Sequence, residues 1–444
     1  MRPPIHLTFE AMVALLGRTF ERLPDARDSQ RVTYPMRDAA LSMFACFFFQ
    51  DPSLLAFQRR LEKASDRSNL QTMFGVEAVP SDTQIREMLD GAPTDPVRRL
   101  LGQVFERYRR SGWAAQFKTT RAVGGGLYAV IVDATDYHSS SAISCEHCLR
   151  ATTTAKDGTQ TTHYRHAMLS ATVFRARSHE IFPLDAEPIL NRDGTTKQDC
   201  ELNAAKRLLP RLRREHPKLP ILLLGDAIYA HEPLLGDVDR LAMRYLLVVK
   251  EGSQPETFDW VNDLDQRGEW VEHGSWTEGP LAKRRYFEYR ICRQVPVSEK
   301  RAAWGTFLEV WERDRAGKVV YHNSWLTDVD VTRATVEEVF WLGRGRWKIE
   351  NEQFNTHKNG GYHLEHNYGH GEKTLSTLFY FLNLLAFLAH RVLERSDAVY
   401  QRCRAAGPPR ELWTSFRVMI GLRVYESWGE MVRHRLETWG LAGP

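Results

Sequence analysis

The first 120 residues carry apolar positions at helical spacing, interrupted by polar turns. The stretch 41–49 is apolar almost throughout and predicts a buried helix, and residues 54–61 predict another. Ser81 or Asp82 can serve as the N-cap of a further helix. We therefore predict an N-terminal helical domain over residues 1–120.

After the hinge at residues 124–126 the pattern changes to short continuous apolar runs, typical of strands covered on both faces. Strands are predicted over 127–132, 167–174, 219–224 and 245–249. A helix pattern from 198 to about 215 contains Pro210, which predicts a kink. Short alternating stretches over 251–325, without a long helix, indicate a β-rich insertion. These patterns predict an α/β core over 125–395 that this insertion interrupts.

A helix is predicted to begin near Thr335, because Thr335 and Glu338 are spaced as a capping box. If this helix continues, Arg346 and Glu350 lie one turn apart on one face. Gly343 and Gly345 each cost about 1 kcal/mol in a helix interior, which predicts a bend or break at this point. A surface ion pair explains Arg346 and Glu350 equally well when the stretch is considered alone.

Residues 375–393 predict a buried helix, and a helical tail is expected over 396–444. The most apolar run, 378–389, has 12 residues and contains Asn383, so we expect it to be too short to span a bilayer. Residues 1–20 carry no signal-peptide pattern. With six cysteines in 444 residues, we expect a protein of a reducing compartment, soluble and intracellular.

The net charge of +4 is mildly basic, which permits a nucleic-acid partner without requiring one. Basic side chains are concentrated at the end of the N-terminal region, at Arg98, Arg99, Arg107, Arg109, Arg110, Lys118 and Arg121. Basic flanks on short helices suit contact with the DNA backbone. A solvated basic face on a helical bundle explains any single arginine equally well.

Three acidic residues, which follow buried strands or lie on the later helix, are candidates for a catalytic metal site. Asp133 and Asp226 each stand at the predicted C-terminal end of a core strand, and Glu350 lies on the helix. Three convergent carboxylates repel one another unless a cation neutralises them, and hard oxygen ligands favour Mg²⁺ or Mn²⁺. Two such ions can clamp a phosphodiester during cleavage and joining. Either aspartate alone can simply cap the next turn.

Together, Asp133-Ala-Thr, Gly225-Asp226 and Arg346-Trp-x-Ile-Glu350 resemble the bacterial DDE transposases with a Tyr-x2-Arg-x3-Glu-x6-Lys signature, of insertion-sequence cut-and-paste type. The resemblance covers roughly residues 125–395. It implies an RNase H-like catalytic core in which the three carboxylates bind divalent metal. It also implies nicking of double-stranded DNA at transposon ends, strand transfer into target DNA, often through a hairpin, a homodimer on DNA and a cytoplasmic, nucleoid-associated location.

Arg346 and Glu350 stand in register with the signature arginine and glutamate. The tyrosine position falls on Gly343, for which Trp341 or Tyr362 could substitute. The lysine position falls on His357, with a lysine at the next position. The resemblance therefore implies that Arg346, His357 and Lys358 contact DNA. It also implies that the protein is a divergent member of the family, or one with a modified end-processing step.

A second candidate metal site combines Cys145-x2-Cys148 with His163-x2-His166. Two thiolates and two imidazoles are the ligands of many structural zinc sites. Cys200 is a rival ligand, and buried thiols with hydrogen-bonded histidines are the alternative without metal.

Two other functions stay open from the sequence. The first is a catalytically inactive, transposase-derived DNA-binding protein, which would bind transposon ends without nicking them. The second is a hydrolase that uses two carboxylates as acid and base, as glycosidases do, and that needs no metal.

Overall fold

We describe a computed structural model of the chain over residues 4–25, 27–28, 32–191, 198–298 and 303–440. The N-terminal region folds into α1 (Phe9–Phe20), α2 (Met36–Phe48), α3 (Leu54–Arg60), α4 (Ala64–Asn69), α5 (Asp82–Leu89) and α6 (Asp95–Arg110). Helix α2 is buried along nearly its whole length, as its apolar sequence predicts. Ser81 caps α5 and forms a reciprocal capping box with Gln84, which confirms the predicted helix start.

A mixed sheet of ten strands, counted over the described residues, forms the centre of the molecule. The strands are β1 (Tyr128–Ser140), β2 (Leu149–Thr154), β3 (Gln160–Phe174), β4 (Ile181–Ile189), β5 (Ile221–Gly225), β6 (Arg244–Val249), β7 (Val271–Glu278), β8 (Arg285–Ser298), β9 (Ala303–Arg313) and β10 (Val319–Thr327). Their order is β2-β3-β1-β5-β6-β10-β9-β8-β7, and β4 pairs with β3. The chain is thus a mixed α/β protein with helices flanking a large central sheet.

Strand β1 lies between an antiparallel and a parallel neighbour. Its parallel pairing with β5 covers only Tyr128 to Ile131, whereas its antiparallel pairing with β3 continues to Ser140. The continued pairing keeps the backbone extended, so Asp133 lies within β1 and not at its end, contrary to the sequence-based expectation. Asp133 nevertheless lies just past the last residue that β5 covers, where the strand becomes accessible from the side of β5.

Helices connect the central strands, as expected where parallel strands are joined by crossovers. Helix α7 (Glu201–Glu215) precedes β5 and contains Pro210, and α8 (Glu232–Arg240) joins β5 to β6. Helix α9 (Pro255–Arg267) is a long helix that the sequence analysis missed in the predicted β-rich region. Its proline start and its end at Gly268, with φ +67°, are recognisable helix boundaries. The following strands extend the central sheet because β10 pairs with β6.

The C-terminal helices are α10 (Val336–Arg344), α11 (Asn355–Asn359), α12 (Leu375–Ser396), α13 (Ala398–Ala405), α14 (Pro409–Leu422) and α15 (Trp428–Thr438). Helix α12 has 22 residues, so the estimate from its 12-residue apolar run was too short, and by length and composition it could cross a membrane. However, 89% of its most apolar window is buried inside the protein. This burial is typical of the central helix of a core.

One hydrophobic core joins the first and last parts of the chain. Phe9 stacks on Trp428 with ring centroids 5.2 Å apart, and α2 packs against α12. The Asn69 side-chain amide donates hydrogen bonds to the carbonyls of Ile420 and Arg423 at 2.8 and 2.7 Å. The N-terminal helices and the tail therefore stabilise each other directly.

Candidate active site

The stretch around Glu350 is a broken helix. Helix α10 ends at Arg344, a 3₁₀ turn spans Gly345–Trp347, and a π-helical turn spans Ile349–Phe354 before α11 begins. The break falls where the glycines predicted it. A Cβ at Gly345 would overlap the ring of Phe174, so this turn can approach the sheet only with glycine at that position. π-helical turns frequently occur at functional sites.

The start of α10 differs from the prediction in one respect. Thr335 occupies the N-cap position, but its side chain makes no capping hydrogen bond. The hydroxyl instead accepts a hydrogen bond from the Thr332 amide at 2.9 Å. Glu338 accepts one from the Thr120 amide at 2.7 Å. The capping box is therefore not formed, because both side chains have partners outside the helix.

Arg346 joins two of the predicted carboxylates. Its Nη1 lies 3.2 Å from Oδ2 of Asp133 and 3.0 Å from Oε1 of Glu350. The arginine side chain is 11% exposed and that of Asp133 is 18% exposed. The ion pair between Arg346 and Glu350 is therefore present, but it is not a simple surface pair: β1 and the π-helical turn bring Asp133 and Glu350 to the same nitrogen of one largely buried guanidinium.

Asp226 directly follows β5 and has a local structural role. Its carboxylate accepts a hydrogen bond from the Ile228 amide at 2.8 Å and so caps the short turn Ala227–Tyr229. A Cβ at Gly225 would overlap the Tyr229 ring, so the Gly-Asp pair also makes room for this tyrosine. The capping role does not use all the oxygen lone pairs of Asp226, and its charge influences the pKa of Glu201.

Glu201 is an acidic residue of this cluster that the sequence analysis missed. It is the first residue of α7 and accepts a hydrogen bond from the Tyr229 hydroxyl. Burial raises the pKa of Glu201, the Tyr229 hydrogen bond lowers it and the charge of Asp226 raises it. The available signal was its position at the start of the helix that precedes β5, where a helix dipole favours a carboxylate. No sequence motif marks it.

The pKa of Asp133 is shifted by burial and by its interactions with Arg346, Glu201 and Glu350. The pKa of Asp133 is raised from 3.8 to about 7, mainly by burial and in addition by the charges of Glu201 and Glu350. Arg346 and the Ala134 amide act in the opposite direction. A cluster of carboxylates with a raised pKa is typical of functional sites, where a bound cation would compensate the charge.

In this conformation Arg346 supplies the compensating charge. The carboxylate oxygens of Asp133, Asp226 and Glu350 do not all lie within 4.8 Å of one another. In the described part of the chain, the potential ligand atoms that lie this close together belong to a group of cysteines and histidines. The donor set nevertheless fits a hard divalent cation, because it consists of carboxylate oxygens from three separate elements. A cation at this place would replace the charge that the guanidinium now provides.

His357 does not lie where DNA could reach it. The side chain is 1% exposed, and burial lowers its pKa to about 3, so the ring is neutral at physiological pH. Its ring packs against Tyr362 and Phe387 at centroid distances of 5.3 and 4.6 Å. The prediction of a DNA contact is therefore wrong for His357. Lys358, one residue later, is partly exposed and pairs with Glu365 at 2.8 Å.

The residues considered as substitutes for the signature tyrosine also have other contacts. Tyr362 is buried and bonds to His390. Trp341 packs beneath the guanidinium of Arg177 at 4.6 Å. Gly343, at the tyrosine position itself, packs against the Trp325 indole so closely that a Cβ would overlap it.

The second predicted metal site is only partly as expected. Cys145, Cys148 and His166 lie together, but the fourth member is His370 and not His163. His163 and His166 are three residues apart on β3, so their side chains point to opposite faces of the strand. Cys200, the rival ligand, is exposed and lies outside the group.

The model of the family described as "Transposase DDE domain" matches residues 124–388, more than half of the chain. A comparison with curated protein sequences gives no match. Among solved structures, the NurA nuclease from Sulfolobus solfataricus is similar at 12% identity and a TM-score of 0.23, over 56% of this chain and 84% of that chain. A TM-score of 0.23 is too low to indicate a shared fold.

Proposed function

The chain belongs to the family of transposases with a DDE domain, and from this premise we propose that it cleaves transposon ends and joins them to target DNA. The reaction is phosphodiester hydrolysis followed by strand transfer, and it requires Mg²⁺ or Mn²⁺. The observation that carries the proposal is the meeting of Asp133 and Glu350 at one buried arginine inside the matched region.

We assign an RNase H-like arrangement to the five strands around the site. In space they follow the order β4-β3-β1-β5-β6, in which the first three are antiparallel and the last two run parallel to β1. The acidic residues belong to β1, the end of β5 and the segment after α10. Strands β7–β10 extend this core beyond β6.

Asp133, Asp226 and Glu350 are the residues that would hold the divalent cation, with Glu201 as a neighbouring carboxylate. When bound, the cation activates the attacking oxygen and stabilises the leaving oxygen of the phosphodiester. The raised pKa of Asp133 means that the free site carries less negative charge near neutral pH than three independent carboxylates would. The Asp226 hydrogen bond to the Ile228 amide orients that carboxylate.

Arg346 has two roles in this proposal. Without a cation, it neutralises Asp133 and Glu350. With a cation in place, its guanidinium is available for a phosphate oxygen of DNA, the partner for which arginine geometry is best suited. Lys358 adds positive charge at the end of the same segment once its ion pair with Glu365 opens.

The N-terminal arginines divide into structural and DNA-contacting groups. Arg98 is buried and pairs with Asp185 at 2.7 Å, so it stabilises the fold. A cleft of about 550 Å³ between α6 and α7 is lined by Arg99, Arg107, Arg110 and Arg214, together with Glu106 and Glu215. We propose this cleft as a contact for the DNA backbone, within a cytoplasmic, nucleoid-associated homodimer that brings two transposon ends together.

A catalytically inactive DNA-binding protein is the second candidate. It is favoured by Gly343 at the signature tyrosine position and by the arginine between two of the carboxylates. The two candidates share the DNA substrate and differ in whether the phosphodiester is cut.

A cleavage assay on the transposon ends, taken from the DNA that flanks the gene, tests the proposal. Inverted repeats in that DNA define the ends, which are then used as labelled substrates with Mg²⁺, Mn²⁺ or EDTA. We expect metal-dependent nicking by the unaltered protein. Asp133→Asn, Asp226→Asn and Glu350→Gln should each abolish nicking while end binding remains.

Asp136→Asn is the matched control, because Asp136 lies on the same strand but is 44% exposed and pairs with Arg165. It should nick like the unaltered protein. A triad variant that nicks normally would remove that residue from the site. Specific end binding without nicking in either metal would establish the inactive alternative, and nicking that persists in EDTA would contradict metal dependence.

A further inference from the structure

The Cys/His cluster, defined as Cys145, Cys148, His166 and His370, has no part in the proposed DNA chemistry. Its members come from the turn before β2, from β3 and from the loop before α12. One ligand atom of each residue lies within 4.8 Å of all the others. Three members are buried and His370 is partly buried. We propose that this cluster binds one zinc ion in a closed, structural site.

The distances match those of a tetrahedral zinc site. Bonds of about 2.3 Å to sulfur and 2.0–2.1 Å to nitrogen give edges of about 3.8 Å between sulfurs, 3.5 Å between sulfur and nitrogen and 3.3 Å between nitrogens. The two Sγ atoms are 3.8 Å apart. His166 Nε2 lies 3.6 and 3.4 Å from the sulfurs of Cys145 and Cys148. His370 Nε2 lies 3.4 Å from Cys148 Sγ and 3.0 Å from His166 Nε2.

The hydrogen bonds around the cluster also suit a metal. His370 Nδ1 donates to the Gly371 carbonyl at 2.8 Å, so the lone pair of its Nε2 points into the cluster. Such a bond from the second ring nitrogen is the usual support of a metal-binding histidine. The Cys145 amide donates to Cys148 Sγ at 3.4 Å, which stabilises a thiolate. At 3.8 Å the two sulfurs form no disulfide.

The ligand types select zinc over the cation of the catalytic site. Mg²⁺ and Mn²⁺ favour oxygen ligands, whereas two thiolates and two imidazoles favour Zn²⁺. Four protein ligands complete a tetrahedron, so no position is left for water or substrate. The site is therefore structural and independent of phosphodiester cleavage.

Zinc at this place would connect distant parts of the chain. It would tie the loop before α12 to β3 and to the turn that follows β1, across 222 residues from Cys148 to His370. The same loop is also held by Asp90, whose carboxylate accepts hydrogen bonds from four consecutive amides, those of Glu372, Lys373, Thr374 and Leu375. The ring of Tyr137, on the outer part of β1, stacks on His166. The ion would thus fix the outer half of the strand that carries Asp133.

Metal analysis of the full chain, purified without a histidine tag, tests the proposal. We expect about one zinc per chain after dialysis, as for a closed four-ligand site. Cys148→Ser and His370→Ala should lose the zinc and unfold at lower temperature. His163→Ala and Cys200→Ser are matched controls, because they remove the same residue types outside the cluster, and both should retain the ion.

Cobalt substitution of the unaltered protein keeps the test valid if the cluster variants do not fold. Two thiolates in a tetrahedral site should give strong visible Co²⁺ bands and a thiolate charge-transfer band, both removed by added zinc. Glu350→Gln should retain the zinc, which separates this result from the outcome for catalysis. Less than about 0.2 zinc per chain without a cobalt spectrum, or full zinc in Cys148→Ser, would overturn the proposal.

Discussion

Replacing Asp133 by asparagine should make the protein more stable near neutral pH while abolishing DNA cleavage. Asparagine keeps the shape of the side chain and can still accept a hydrogen bond from Arg346. It carries no charge, so it avoids the cost of an ionised carboxylate among Glu201 and Glu350 in a largely buried site. Strain of this kind is common in active sites, where removing it stabilises the fold.

The size of the effect follows from the pKa of Asp133, which is raised from 3.8 to about 7 in the folded state. Between these values the folded protein holds a proton that the unfolded chain has lost, so stability falls by about 1.4 kcal/mol per pH unit as pH rises. The cost is absent below pH 3.8, increases up to about pH 7 and is constant above it. It reaches about 4 kcal/mol at pH 8 and about 1–2 kcal/mol at pH 5. The stability gained by Asp133→Asn should therefore be about 2–3 kcal/mol larger at pH 8 than at pH 5.

Urea unfolding in EDTA at pH 5 and pH 8 measures this difference, with Asp136→Asn as the control on the same strand. We expect the control to change little between the two pH values. Added Mg²⁺ should then stabilise the unaltered protein but not Asp133→Asn, since a ligand stabilises only the state that binds it. An equal effect of Asp133→Asn at both pH values, or a loss of stability at pH 8, would refute the assignment of Asp133 to a buried, repulsive carboxylate cluster.

Three further predictions test the surroundings of the site. Glu201→Gln removes a charge that raises the pKa of Asp133, so the acidic limb of the cleavage pH profile should move to lower pH; a shift to higher pH would contradict the coupling. His357→Phe should cost less than about 1.5 kcal/mol in thermal unfolding and leave DNA binding unchanged, because the ring is buried and neutral. His357→Arg should cost several kcal/mol, because it places a charge in a buried position. Weaker DNA binding by the folded His357→Phe variant would instead support a DNA contact by His357. Gly345→Ala should cost about 1–3 kcal/mol in urea unfolding and slow cleavage because its Cβ meets a phenylalanine ring, while the control Gly252→Ala, where the space is open, should do neither.

Most of the order of the elements could be predicted from the sequence, whereas Asp133, Asp226 and Glu350 stay a prediction for the divalent-metal site. Strands buried on both faces require continuous apolar runs, so 127–132, 219–224 and 245–249 indicated the central strands β1, β5 and β6. The break after α10 was predicted from glycines, because their conformational cost is a local property. The pattern did not find α9, whose short apolar face resembles the alternation of the strands around it.

Only the tertiary structure decided which side chains meet. Asp133 lies inside β1 because β3 continues to pair after β5 ends, and pairing between strands is not a property of either strand alone. His370 takes the place expected for His163, from a position 204 residues away from His166. His357 is buried against Tyr362 and Phe387, although its spacing from Glu350 matched a DNA-binding lysine. Sequence patterns encode periodicity and local caps, whereas burial and charge coupling depend on contacts that form only when distant elements pack together.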